Sequence, residues 1–256
     1  RAIKGESGFG IVQDPNTAKY NGMPNAAINS GNVDLILSPT EMGEELKNLL
    51  VFPSISRQGD SPLVPIDVYR SIMKLIKAHC KVDFTLYKES TIERRIERRM
   101  VSLKIPEPQD YLDYLKNNNS EVTFLFNDML IGVTSFFRDA RAFDILRTEL
   151  THYINRKEDN VIRIWSVGCS TGEEPYSIAM MLSEILGKRL QDFKIQIFAT
   201  DIDQRALNYA RNAVYPEAAL QNVPKSIKNK FFMVANDQFE VIKPIKAMVI
   251  FSIQDI

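Results

Sequence analysis

The run IWSVGCSTGEEPYS, from Ile164 to Ser177, holds the residues best suited to chemistry. Gly168 and Gly172 allow a tight or left-handed backbone that can pass close to a ligand. Glu173 and Glu174 follow at once, so the turn carries negative side chains. A dinucleotide loop needs G-x-G-x-x-G, and the first two glycines here are wrongly spaced for it. A phosphate loop needs Lys and then Ser or Thr after its last glycine, where this chain has two glutamates. Such a turn repels phosphate and suits a ligand with ammonium and sulfonium charges, which points to S-adenosylmethionine. The alternative is a plain strand-to-helix turn whose glutamates only complement the helix macrodipole. Asp201, in TDID at the end of the next apolar run, favours the ligand reading, because an acid there can grip a ribose diol.

These residues need a strand, a loop and a helix to position them. Val161, Ile162, Ile164, Trp165 and Val167 suit a buried strand. A helix over Glu174 to Leu186 has Pro175 in its first turn and Ile178, Ala179, Met181, Leu182 and Ile185 as its buried face. A second strand covers Ile195 to Ala199, and a helix runs from Asp203 to Asn212. Further strands are expected near Phe231–Val234, Phe239–Ile242 and Ala247–Ser252, in a parallel α/β arrangement.

Upstream, from Ile66 to Leu150, apolar residues recur at three and four. Tyr69, Ile72, Met73 and Ile76 form one such set, Ile92, Ile96, Met100 and Leu103 another, and Phe124, Phe126, Met129 and Leu130 a third. This predicts a small helical domain. Ser90 with Glu93 reads as a capping box that starts a helix at Thr91, and Asp139 caps another running to Leu150. Residues 1–50 are rich in glycine and proline, with short apolar pieces at Gly10–Val12 and Val33–Leu37 that read as the last strands of something larger. PSISRQGDSPLVP, Pro53 to Pro65, lacks helical period and reads as a linker. The expected division is 1–50, a linker at 51–65, a helical domain at 66–138 and a ligand-binding α/β domain at 139–256.

The helix over STIERRIERRM, Ser90 to Met100, places Ile92, Ile96 and Met100 on one face. Arg94, Arg95, Arg98 and Arg99 are read as a stripe beside it, with Glu93 and Glu97 on the other flank. Taken alone, that pattern better suits a solvated helix with local Glu–Arg pairs worth a few tenths of a kcal/mol each.

Composition bounds the functions available. The chain has 256 residues, 32 basic and 32 acidic side chains and no net charge, so a general polyanion-binding role, nucleic acid included, has no support. Two isolated cysteines, Cys80 and Cys169, exclude a disulfide framework, and no apolar run reaches membrane-spanning length. No signal peptide is visible, and a cytoplasmic protein is expected. The chain starts at Arg1 and reads as a fragment. His79 and His152 are isolated and read as structural or exposed, and no metal cluster is evident.

GVTSFFRD (Gly132 to Asp139), SVGCSTGEEPYS and ATDID, in that order, resemble a CheR-type chemotaxis receptor methyltransferase over roughly Val64 to Ile256. The resemblance implies a small all-helical domain and a Rossmann-like, S-adenosylmethionine-dependent methyltransferase domain. It also implies transfer of a methyl group to glutamate side chains of chemoreceptors, leaving S-adenosylhomocysteine. By similarity, Thr134 and Arg138 contact the methionine end of the cofactor, Glu173 its ammonium and Asp201 the ribose hydroxyls, with Gly168 and Gly172 in the loop between. A guanidinium fork at Arg138 can hold a carboxylate in two hydrogen bonds; a surface arginine after the Phe136–Phe137 pair is the alternative. The family pattern has Asn where this chain has Gly132. FSIQDI resembles the segment beside the adenine, with Asp255 at an Asn-like position and Ile256 after it. The helix carrying Arg94, Arg95, Arg98 and Arg99 matches the one that faces the acidic methylation region of the receptor.

The opening, AIKGESGFGIVQDPNTAKYNGMPNAAINSGNVDLIL, resembles the C-terminal end of a CheB-type methylesterase, with GMP at Gly22 to Pro24. That family's Ser, His and Asp come from segments that precede Arg1, so esterase activity is not expected. The two resemblances together imply a CheB–CheR fusion. The CheR family's later strands are expected to follow Ile256, so the truncated domain should bind cofactor weakly or undetectably. A non-catalytic signalling module that binds cofactor or receptor is the second reading, kept open by Gly132 and Asp255. A nicotinamide dehydrogenase is disfavoured by the loop spacing.

Overall fold

The structure is a computed structural model, and it describes residues 8–29, 33–51, 64–130, 132, 134–235 and 238–255. Most of the expected linker therefore lies outside the described residues. Contacts divide the chain into two units, Arg1–Ile131 and Gly132–Ile256. The division falls ahead of Thr134–Arg138, so that segment belongs with the glycine loop rather than with the helical part.

The first unit opens with β1 (Ile11–Gln13), α1 (Gly22–Asn29), β2 (Leu35–Leu37) and α2 (Pro39–Val51). The two short strands pair in parallel, Val12 opposite Ile36. The Gly-Met-Pro triplet begins α1. Helix α2 was not expected from the glycine- and proline-rich composition. Its start is nonetheless written in the sequence: Ser38 N–H donates to Glu41 Oε2 at 2.8 Å, and Glu41 N–H reaches back to Ser38 Oγ at 3.4 Å. That is a reciprocal capping box.

Among the described residues four helices follow: α3 (Ile66–Cys80), α4 (Glu89–Leu103), α5 (Pro108–Asn117) and α6 (Asn119–Met129). Helix α4 starts at Glu89 with Lys88 as its cap and no side-chain cap bond, so the expected box at Ser90 and Glu93 is not formed. Both residues sit inside the first turns instead. The core is built from Ile72, Ile76, Ile92, Ile96, Tyr111, Leu115, Val122, Leu125 and Met129, each almost fully buried. On α6 the buried stripe is Val122, Leu125 and Met129. Phe124, expected inside, is exposed and lies under the Arg99 guanidinium, 5.5 Å from its ring centre.

The second unit begins with α7 (Ala140–Arg156), capped by Asp139, whose carboxylate accepts the Ala142 N–H, and extending one and a half turns past the expected end at Leu150. Then come β3 (Val161–Val167), α8 (Glu173–Leu186), β4 (Lys194–Asp201) and α9 (Gln204–Asn212). A parallel sheet forms in the order β3-β4-β8, where β8 is Val249–Ile253. Helix α8 is buried along most of its circumference, which explains why its apolar residues are nearly continuous. On the sheet's other face, Trp165, Phe198 and Ile250 face each other across the three strands and stay partly exposed.

One expectation needs correction. Strands β6 (Phe232–Ala235) and β7 (Gln238–Val241) do not join the parallel sheet but form an antiparallel sheet with β5 (Val214–Pro216), in the order β5-β7-β6. Only two residues separate β6 from β7, whereas a parallel crossover needs a dozen or more. Helices α10 (Lys225–Phe231) and α11 (Lys243–Lys246) bracket this sheet.

Candidate functional site: the loop between β3 and α8

The loop from Gly168 to Gly172 is fixed from several directions. Cys169 N–H donates to Thr200 O at 3.0 Å, and Gly172 N–H donates to Cys169 O at 3.0 Å, closing the turn. Asp201, at the end of β4, accepts Ser170 N–H on Oδ2 at 2.6 Å and Asp203 N–H on Oδ1 at 2.8 Å. The acid read as a diol ligand therefore also organises the loop. The Tyr215 hydroxyl donates to Thr171 O at 2.7 Å from within the core.

The two glycines serve different ends. Gly172 has φ +91°, and a Cβ there would lie 2.9 Å from Ala210 Cβ and 3.2 Å from both Phe251 and Tyr215 Oη. It is required by packing. Gly168 has φ +66°, and no atom lies within 4 Å of where its Cβ would be. The backbone there faces open space, as an approaching ligand requires. Ser170 holds the left-handed conformation at φ +48° although it is not glycine. Its buried Oγ makes no hydrogen bond among the described residues, and a Cβ on Gly132 would meet it at 3.1 Å.

Glu173, only 2% exposed, begins α8, and its Oε2 accepts the Thr171 hydroxyl at 2.6 Å. Glu174 points elsewhere: it is exposed and accepts the Ser166 hydroxyl at 2.8 Å. Thr134 and Arg138 flank Phe136, which is fully buried with its ring edge-on to Tyr215 and Phe232. Phe137 N–H donates to Ser177 Oγ at 3.1 Å, and Ser177 Oγ donates to Glu173 O at 2.7 Å. This relay ties the Thr134–Arg138 segment to the first turn of α8. Arg138 itself is exposed. After β8, Gln254 N–H donates to Asp201 O at 3.1 Å, which brings Asp255 beside the end of β4. Ile256 lies outside the described residues.

The Cys169 thiol is pushed up to about 12, mainly by burial and then by the Asp201 charge, so it stays protonated and is a poor nucleophile near neutral pH. Among the described residues no group of His, Cys, Asp or Glu could hold a metal ion, and both His79 and His152 are exposed. No described helix is long and apolar enough to cross a membrane.

The arginine stripe is rearranged. Of the four residues, only Arg94 is exposed; Arg95 and Arg98 are 4% and 3% exposed. Arg99 donates through Nε and Nη2 to Glu121 at 2.8 and 2.7 Å, and Tyr111 Oη donates to the same buried carboxylate at 3.0 Å. At 100° per residue the four arginines spread over about 140° of the helix, and Arg95 and Arg99 border the Ile92–Ile96 stripe. Arg95, Arg98 and Arg99 are drawn into the unit, and of the four Arg94 alone is left on the surface.

The sequence places Phe136 in the core, as found, but does not single out Ser177 and Tyr215. Tyr215 gave no local signal, because its partner is 44 residues away. The Ser177 contact was recoverable in part, since a serine one turn into a helix can bond back to the carbonyl four residues earlier.

A strand, glycine loop and helix with carboxylates at Glu173 and Asp201, open space at Gly168 and an orphaned hydroxyl at Ser170 fit an adenosyl ligand carrying positive charge. The fold and site define an S-adenosylmethionine-binding methyltransferase domain, and residues 132–256 match the CheR methyltransferase SAM-binding domain. Residues 67–130 match the all-alpha domain of CheR methyltransferases and residues 1–46 the CheB methylesterase family. A chemotaxis protein methyltransferase of Borreliella burgdorferi is 34% identical over 72% of this chain and 68% of its own length. The Escherichia coli chemotaxis protein methyltransferase is 33% identical over 64% of this chain and 56% of its own length. An uncharacterized 104.1 kDa protein of Rhodobacter capsulatus is 27% identical over 98% of this chain, which spans 29% of that relative. The chain belongs to the CheR chemotaxis methyltransferase family, and its CheR domains follow a stretch related to CheB.

Proposed function

We propose that the protein methylates glutamate side chains of a chemotaxis receptor, using S-adenosylmethionine. The cofactor supplies a methyl group on a sulfonium, already electrophilic. The substrate carboxylate is ionised near neutral pH and needs no general base. A carboxylate oxygen forms the new bond to carbon as the carbon–sulfur bond breaks, its electron pair staying on sulfur to give a thioether. The protein's contribution is alignment and exclusion of water.

Glu173 would accept the cofactor's ammonium, Arg138 and Thr134 would hold its methionine end, and Asp201 its ribose hydroxyls. Gly168 and Gly172 would form the backbone wall, with Asp255 and Ile256 on the adenine side. Arg94, Arg95, Arg98 and Arg99 would receive an acidic receptor helix, with Arg94 the residue already facing solvent. A cytoplasmic location suits such a substrate.

The observation that carries this reading is the pair of carboxylates, Glu173 at the start of α8 and Asp201 at the end of β4, bracketing a loop that is open at Gly168. Calorimetry with the full-length protein tests it. Glu173→Gln should lower affinity for S-adenosylmethionine by about tenfold or more, as expected for a charge-assisted contact of about 1.5–3 kcal/mol. Unchanged affinity would remove Glu173 from the site. A non-catalytic signalling module is the second reading, favoured by the missing side chain at Gly132. Cofactor binding without methyl transfer would support it.

A further inference from the structure

The side of α4 that carries Arg98 is occupied from within its own unit. Asp34, just before β2, accepts Gly10 N–H on Oδ2 at 2.8 Å and pairs with Arg98 Nη2 through Oδ1. Both side chains are buried, 5% and 2% exposed. The Arg98 guanidinium also lies over the Phe9 ring, 5.8 Å from its centre. At the C-terminal cap of α4, Lys104 Nζ donates to Glu45 of α2 at 2.7 Å. The β1–β2 pair and α2 thus hold α4 through two carboxylates and one ring.

Arg98 and Arg99 are held differently. Arg99 is engaged in a two-bond fork with Glu121. Arg98 meets Asp34 through one nitrogen, and its buried Nε and Nη1 make no hydrogen bond among the described residues. A guanidinium prefers a planar, two-bond carboxylate partner, so Arg98 has unspent donors that an incoming carboxylate could use. Asp34 presents to Arg98 the same chemical group that a methyl-accepting glutamate presents.

We propose that the β1–β2 segment is an internal strap over α4, in which Asp34 stands in for a substrate carboxylate on Arg98 and must be displaced before an acidic helix docks fully. The inference rests on the reading of α4 as a substrate-docking helix. It makes the CheB-related stretch a competitor of the receptor for the same arginine. Access to that arginine would then depend on whether the strap is seated.

The probe is a labelled synthetic helix with glutamates at i and i+4, titrated by fluorescence anisotropy into the full-length protein at about 0.1 M salt. Asp34→Asn keeps an acceptor for Gly10 and removes the competing charge, so the peptide should bind about three- to tenfold more tightly than to wild type. Equal or weaker binding to the variant would overturn the strap. Wild-type protein provides a second reading that does not depend on the variant folding. If peptide and strap compete, saturating peptide must loosen the strap by the same factor, so amide exchange at Leu35–Leu37 should accelerate. Unchanged or slower exchange would overturn the proposal. No peptide binding to wild type or variant, or binding indifferent to Arg94→Ala and Arg98→Ala, would instead remove the docking reading itself and the strap's role with it.

Discussion

Replacing Gly172 with alanine should destabilise the second unit by about 2–5 kcal/mol, whereas the same change at Gly168 should cost only about 1 kcal/mol. Both positions have positive φ, so each carries the left-handed penalty of about 1–2 kcal/mol, at its lower end for the near-ideal φ +66° of Gly168. Only Gly172 adds overpacking. Its methyl would press on Ala210 Cβ at 2.9 Å and on Tyr215 Oη at 3.2 Å, and Tyr215 cannot retreat without losing its bond to Thr171. That adds about 1–3 kcal/mol. For a unit of this size about 4 °C accompanies each kcal/mol, so melts followed by circular dichroism should fall by roughly 8–20 °C for Gly172→Ala and roughly 4 °C for Gly168→Ala. Cofactor affinity should show the opposite order relative to stability. Gly168→Ala puts a methyl into the open space of the proposed cofactor site and should weaken S-adenosylmethionine binding about tenfold or more despite the mild melt. Equal melting shifts, or wild-type affinity in Gly168→Ala, would refute the separation of a packing glycine from a ligand-facing one.

Glu121→Ala should be among the most damaging changes in the helical unit, by about 3–5 kcal/mol in urea unfolding, because it leaves Arg99 without its fork and Tyr111 without its acceptor. A loss below about 1 kcal/mol would show that the pair is solvent-screened. Stability should fall at alkaline pH. The Cys169 thiol is raised from the ordinary range to about 12 and the Tyr111 phenol is raised further, mainly by burial and by the Glu121 charge. Above about pH 9 the unfolded thiol ionises while the folded one keeps its proton, so the native state binds more protons and stability declines as pH rises towards 12. Flat stability from pH 8 to 11 in urea titrations would contradict this. For the same reason, alkylation by iodoacetamide at pH 8 should label Cys80 well before Cys169.

Much of the site was legible because its signals are local. The glycines, the following glutamates and the strand-end Asp201 declare a turn, a helix start and an acid at a strand terminus, and all three are found where their spacing puts them. The Asp139 cap was readable for the same reason. Where the reading failed, a long-range contact overrode a local pattern. Arg98 looks like a surface residue until Asp34, 64 residues away, is brought against the helix. Glu121 likewise turns Arg99 inward across 22 residues. The misplaced capping box shows the weakness of a four-residue pattern, since Ser38–Glu41 forms the box and Ser90–Glu93, with the same spacing, lies inside a helix. The antiparallel β5-β7-β6 sheet is written in the short gap between β6 and β7, which is too short for a parallel crossover.

The measurement closest to the central claim is transfer of a labelled methyl group from S-adenosylmethionine to a chemotaxis receptor by the full-length protein. Label should appear on the receptor, be released by base as methanol, be lost when the accepting glutamates are replaced by glutamine, and fall with Glu173→Gln. Cofactor binding without label on the receptor, or label that resists base, would contradict that claim.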